Sequence, residues 1–235
     1  MNHHEFFEFL KKWRDYKKYP PAIAWPREII WGGAFWTNIK KLYDNTAVNN
    51  FEYETSFFYA EGNIVGTDPY KGERTSVKAG HNLNIKFIPK SGGYYDKQTL
   101  LDDKVIKLES VKAEKIPKEL KLGFLFNAHS HPVHYLGDPE NPIKTYGFFS
   151  DTDINSLLYG ENMVAGLVTD EFWLAAKTDR AIKQIGEVGS EMLQNVSNQA
   201  YAGDKYLEDV IRSQMQNWGL VFYRAKFGQV LKRVI

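Results

Sequence analysis

The run Lys121-Leu122-Gly123-Phe124-Leu125-Phe126 leads directly into Asn127-Ala128-His129-Ser130-His131-Pro132. This junction constrains the folds open to the chain more than any other stretch. The run is short, apolar and β-prone, which predicts a strand with two histidines at its end. Strand side chains alternate faces, so His129 and His131, two residues apart, point the same way. Pro132 ends strand pairing just after the second histidine and stiffens the exit. Further on, Ser150-Asp151-Thr152-Asp153 opens Ile154-Asn155-Ser156-Leu157-Leu158-Tyr159, which reads as a helix. Ser150-x-x-Asp153 has the form of a capping box with Asp in place of Glu.

Two imidazoles on one face can occupy two corners of a tetrahedral metal site. Zinc accepts histidine nitrogen and aspartate oxygen readily, and a catalytic zinc keeps one position for water. Asp153 is the candidate third ligand. A lone His-x-His is also what surface or hydrogen-bonded core histidines look like, and Ser-x-x-Asp is an ordinary helix start. The readings are compatible: a cap places Asp153 on the first helical turn, where a short carboxylate can meet a metal held by a neighbouring strand.

His129-Ser130-His131-Pro132 followed by Ser150-x-x-Asp153 resembles the signature of the JAB/MPN (JAMM) zinc metalloproteases. That signature is a Glu, a long gap, His-(Ser/Thr)-His-Pro, about seven residues and Ser-x-x-Asp. The surroundings are similar too, with an apolar strand before the histidines, a helix after the aspartate, and a further strand at Met163–Val168. Residues 132–149, which separate His131 from Ser150, are longer than the signature allows. They form an insertion that contains the turn-rich Gly137-Asp138-Pro139-Glu140-Asn141-Pro142. The resemblance implies an α/β fold of the JAB/MPN (cytidine deaminase-like) kind, a mixed, curved sheet flanked by helices. It covers roughly residues 34–178 well and the C-terminal part loosely. Residues 1–33 read as an N-terminal helical extension. Residues 34–235 read as the domain, with the inserted loop at 133–149 and a C-terminal helix plus β-hairpin.

By the same resemblance, zinc (Zn2+) held by His129, His131 and Asp153 would acidify water and polarise a carbonyl. Ser150 would help hold the oxyanion. An upstream glutamate would move the proton from water to the leaving amine. The candidate is Glu54, which opens an aromatic strand in Phe51-Glu52-Tyr53-Glu54-Thr55-Ser56-Phe57-Phe58-Tyr59. Glu52, on the same strand face, is second, and Glu61, in a turn-like Glu-Gly-Asn, is third. Solvated surface carboxylates are the plain alternative for all three. The implied function is a zinc-dependent peptidase, isopeptidase-like or endopeptidase, acting on a protein or peptide substrate such as a ubiquitin-like or carrier-protein tail. The alternatives are a catalytically inactive MPN-type scaffold, and a zinc hydrolase acting on a nucleotide or nucleic acid.

Charge argues against a large polyanion as partner: 30 basic residues stand against 29 acidic ones, for a net +1. There is no cysteine, which excludes disulfides, thiol catalysis and cysteine metal sites. No apolar run approaches the roughly 18 residues of a membrane span, and Met1-Asn2-His3-His4-Glu5 has no signal-peptide character. The expectation is a cytoplasmic protein without a membrane or nucleic-acid partner. Aromatic residues reach 15 % of the chain, which suits a core or an oligomer interface.

Along the chain, Phe6, Phe9, Leu10 and Trp13 recur at helical spacing, predicting a helix over 3–18 that Pro20-Pro21 end. His3 and His4 read as solvated. Residues 20–33 read as irregular and 34–45 as a second helix. Residues 63–66 read as a return and 68–72 as a loop. One or two strands fall within 76–89, where His81 is a turn residue. A loop is expected at 90–97 and a charged, partly helical stretch at 98–120. Strands at 164–168 and 172–176 form a hairpin. Residues 179–217 read as largely helical, stopped by Gly219, with a closing hairpin formed by 220–225 and 229–234.

Overall fold

The computed structural model describes residues 1–60, 62–67, 69–73, 85–87, 93–96, 105–107, 109–110, 119–121, 123–136, 143–145, 147–184 and 218–234. Glu61, His81, the 137–142 turn and 185–217 lie outside them.

The chain opens on α1 (His3–Asp15), started by a capping box. Asn2 Oδ1 accepts from Glu5 N–H, and Glu5 Oε2 accepts from Asn2 N–H. The helix stops at Asp15, before the prolines, with Lys17 left-handed at φ 51°. His3 and His4 are not merely solvated: their rings meet the Gly62 carbonyl and the Tyr59 hydroxyl. The stretch expected to be irregular contributes a 3-10 turn at Ala22–Ala24 and strand β1 (Glu28–Ile29). Helix α2 (Gly33–Asn49) runs past the expected end at 45. Asn50, in the left-handed conformation, terminates it.

Strand β2 (Tyr53–Ala60) follows, then β3 (Asn63–Gly66) and β4 (Tyr70–Lys71), where a return and a loop were expected. The described parts of the loop expected at 90–97 and of the partly helical stretch expected at 98–120 are strands. Short strands occupy the described parts: β5 (Ile85–Phe87), β6 (Gly93–Asp96), β7 (Val105–Lys107), β8 (Glu109–Ser110) and β9 (Glu119–Lys121). They pair as β5-β6-β8 and β7-β9. Segments of two to four residues are too short to show a period, so charge density there misled the reading.

Next come β10 (Gly123–Ser130) and the antiparallel pair β11 (His134–Leu136) and β12 (Ile143–Thr145). The described parts of the stretch expected to be an inserted loop are therefore paired strands. Helix α3 (Asp151–Tyr159), β13 (Val164–Val168), β14 (Phe172–Lys177), α4 (Asp179–Gln184), β15 (Leu220–Ala225) and β16 (Leu231–Arg233) complete the chain. Gly219, at φ 71°, turns the chain into β15. A Cβ there would lie 2.6 Å from the Ala181 nitrogen, so only glycine fits.

These elements make a mixed, curled α/β sheet in the order β1-β16-β15-β14-β13-β10-β2-β3, with β4 also paired to β2. β1 belongs to this sheet, with Ile29 opposite Leu231. Every neighbour in it is antiparallel except β10 and β13, which run parallel. A parallel pair needs a crossover, and β11, β12 and α3 lie in that crossover. This topology returns the chain to the end of β10 where the histidines stand.

Both faces of the sheet are covered. Phe172, Leu174 and Ala176 of β14 pack with Phe35 and Ile39 of α2 and Phe6 of α1. Trp173 and Ala175, on the alternate positions, pack with Ile154, Leu157 and Leu158 of α3. Among the described residues the aromatic side chains are largely core. No helix among the described residues is long and apolar enough to cross a membrane.

Candidate metal centre

Alternation along β10 sorts the His-Ser-His run onto two faces. Ser130 points toward α2, where its Oγ meets the Thr46 hydroxyl, accepts from Tyr53 N–H at 3.0 Å and donates to the Tyr53 carbonyl at 3.2 Å. It is wholly buried and ties β10 to both α2 and β2. Such a role has no mark in the sequence beyond its place between two residues of opposite facing. His129 and His131 point the other way, toward α3. His131 has left the strand, but its backbone N–H still donates to the Val168 carbonyl at 3.0 Å, so β13 fixes it up to the break at Pro132.

Asp153 reaches the pair from the first turn of α3. Its Oδ1 is 3.1 Å from His129 Nε2 and its Oδ2 is 3.3 Å from His131 Nε2. The two Nε2 atoms are 3.1 Å apart. One donor atom from each of the three residues falls within 4.8 Å of the others, and this is the only such group among the described residues. Ser150 caps α3 and holds the aspartate: its N–H and Oγ donate to Asp153 Oδ2 at 2.7 and 2.8 Å, and Asp153 N–H donates back to Ser150 Oγ at 3.2 Å. The capping box and the ligand geometry therefore use the same carboxylate.

The donor set suits zinc. Two imidazole nitrogens and one carboxylate oxygen could hold the ion and leave a fourth position for water. The orientation of His131 is also set. Its Nδ1 lies 3.1 Å from the Phe148 carbonyl, which can only accept, so Nδ1 carries the proton and Nε2 offers its lone pair to the cluster. The sequence reading missed Phe148, whose contribution is a backbone atom.

Both candidate glutamates stand beside the cluster. Glu54 is directly opposite His129 in the β2–β10 register, and Glu52 lies on the same face. Glu52 Oε1 is 3.9 Å from His131 Nε2. Both side chains are buried, and Glu54 Oε1 has no hydrogen-bond partner.

Burial dominates the electrostatics. It raises Glu52, with His131 and His129 opposing and Asp153 adding to the rise. It raises Glu54 to about 7 against the pull of His129. Burial alone would lower His129, but the Asp153 carboxylate, then Glu52 and Glu54, overcome it and raise the imidazole to about 9. Burial would likewise raise Asp153, yet the two imidazoles hold it well below the usual carboxylate range. Burial takes Glu54 up to about 7, but of the two only Glu52 has an oxygen within 4 Å of a cluster nitrogen. Proximity to the cluster, which a base needs before its acidity counts, favours Glu52.

No protein-family model matches this chain, and neither a curated protein nor a solved structure matches it.

Proposed function

We propose that this chain is a zinc-dependent peptidase that hydrolyses an amide bond in a protein or peptide substrate. The observation that carries the reading is the convergence of His129 Nε2, His131 Nε2 and an Asp153 carboxylate oxygen within 4.8 Å, with a buried glutamate behind them. A zinc ion in such a site supplies Lewis acidity, which activates water and polarises a carbonyl.

In this proposal His129, His131 and Asp153 hold the metal, and the Phe148 carbonyl keeps His131 in its ligand tautomer. Glu52 takes the proton from the attacking water and passes it to the departing amine, with Glu54 as the second candidate for that step. Ser150 Oγ turns from Asp153 toward the developing oxyanion, while the Ser150 N–H continues to hold Asp153 Oδ2. A tail of a ubiquitin-like or carrier protein is the substrate class the sequence resemblance suggests.

The experiment compares zinc-loaded wild type with Glu52→Gln and Glu54→Gln on a quenched-fluorescent peptide library. Both variants are expected to keep one zinc per chain. Glu52→Gln is expected to lower turnover by about 10²–10⁴-fold, the contribution of a positioned base, and Glu54→Gln by less than about tenfold on the same scale. The opposite ranking would move the base to Glu54. Zinc binding without turnover by wild type on any peptide, or on ubiquitin-like fusions, would favour the scaffold reading.

A further inference from the structure

Helix α3 is fixed at both ends, and only one end belongs to the metal centre. Its N-terminus is held by the Ser150–Asp153 box. Its last turn contains no basic residue, although a cation there suits the helix dipole and its unpaired carbonyls. Lys177 supplies that cation from the neighbouring strand.

Lys177 ends β14 and shares a sheet face with Trp173 and Ala175, the face on which Leu157 and Leu158 of α3 pack. Alternation would place an apolar side chain there, yet a lysine is wholly buried. Its Nζ donates to the carbonyl of Gly160, the C-cap of α3, at 2.6 Å. The same ammonium lies 4.8 Å from the centroid of the Tyr19 ring. Its backbone is held as firmly: Lys177 N–H donates to the Met163 carbonyl at 2.9 Å, and Trp25 Nε1 donates to the Lys177 carbonyl at 3.1 Å. Burial brings the ammonium down to about 8, so it remains mainly charged at neutral pH. An apolar side chain of equal length would fill this space without desolvating a charge, so packing alone does not account for it.

We propose that Lys177 is a positioning residue for the metal centre, holding the C-terminal end of α3 through Gly160 and thereby setting where Asp153, on the first turn, presents its carboxylate to His129 and His131. This rests on the metal reading above. A helix of nine residues is about 13 Å long and moves as a unit. Asp153 places one oxygen near each of the two imidazoles, at 3.1 and 3.3 Å. Zinc bonds tolerate only a few tenths of an ångström, so a slide or tilt of α3 released at Gly160 is felt at Asp153.

The test compares wild type, Lys177→Met (equal length, no charge) and Lys177→Arg (charge and donors kept). Zinc is titrated against a chromophoric chelator, and the visible spectrum of the Co²⁺-substituted protein is recorded. Lys177→Met is expected to bind zinc about tenfold more weakly or worse, as loss of an outer support does, with altered Co²⁺ bands. Lys177→Arg is expected to recover most of the affinity. A folded Lys177→Met with wild-type zinc affinity and Co²⁺ spectrum would overturn the proposal, whatever its thermal stability.

Should Lys177→Met not fold, hydrogen exchange in the wild type decides. Coupling is reciprocal, so zinc is expected to slow exchange of the Gly160 amide, whereas unchanged exchange refutes the coupling. Failure of wild type to bind zinc at all would instead remove the metal reading itself.

Discussion

Asp153→Asn is expected to abolish stoichiometric zinc binding while leaving the fold intact. The carboxylate has two duties. As a cap partner, its Oδ2 accepts from Ser150 N–H and Oγ, and an asparagine carbonyl can accept those bonds. As a ligand, it faces two imidazole Nε2 atoms, and a neutral amide cannot replace the anionic donor there. Zinc affinity should fall by more than the 10–100-fold typical of losing an outer-shell partner. Stability should fall by less than about 3–5 kcal/mol, the cost of stranding a buried charge, because His129 can shed its proton once the carboxylate is gone. Chelator competition and a thermal melt measure both. An asparagine variant that kept wild-type zinc affinity would remove Asp153 from the ligand set.

Phe35→Ala is expected to cost about 3–5 kcal/mol, the range for truncating a fully packed aromatic side chain. Phe35 is wholly buried on α2. It stacks on Trp31 with centroids 4.5 Å apart and meets Phe57 at 4.9 Å and Phe172 at 5.3 Å. These partners come from the segment before α2 and from two different sheet strands, β2 and β14, so no single side chain can collapse into the space. Against a typical total of about 5–15 kcal/mol the loss is large. Urea unfolding should show a lower midpoint at unchanged slope. A loss under about 1 kcal/mol would mean the cluster repacks and is not the keystone of the α2 face.

The long elements of the fold were legible in the sequence. β10, α3, β13, β14 and β15 announced themselves because each carries a local pattern: an apolar run of strand length, or Ile154, Leu157 and Leu158 at helical spacing after a cap. The elements that went unread are those whose partners are remote. β1 is a strand only because β16, about 200 residues later, lies beside it. α2 outruns its apolar pattern because Thr46 is held by Ser130, a tertiary contact that overrides a β-branched residue's local preference.

The same division applies to the candidate centre. His129, His131, Ser150 and Asp153 could be named from spacing. Their meeting depends on the parallel β10–β13 pairing, which brings α3 back over the strand end. The sequence placed Glu54 ahead of Glu52; both share one strand face, and the 3.9 Å approach of Glu52 to His131 puts Glu52 first in the proposal. The Phe148 carbonyl and Lys177 left no motif at all.

The most direct measurement is elemental analysis of zinc in untagged wild type and His129→Ala, purified side by side. Omitting a tag matters, and so does the pairing of variants, because His3 and His4 lie near the N-terminus and offer adventitious ligands. One zinc per wild-type chain, lost in His129→Ala, is the expected result. No zinc in wild type even after reconstitution, or equal zinc in both proteins, would contradict a metal centre at His129, His131 and Asp153.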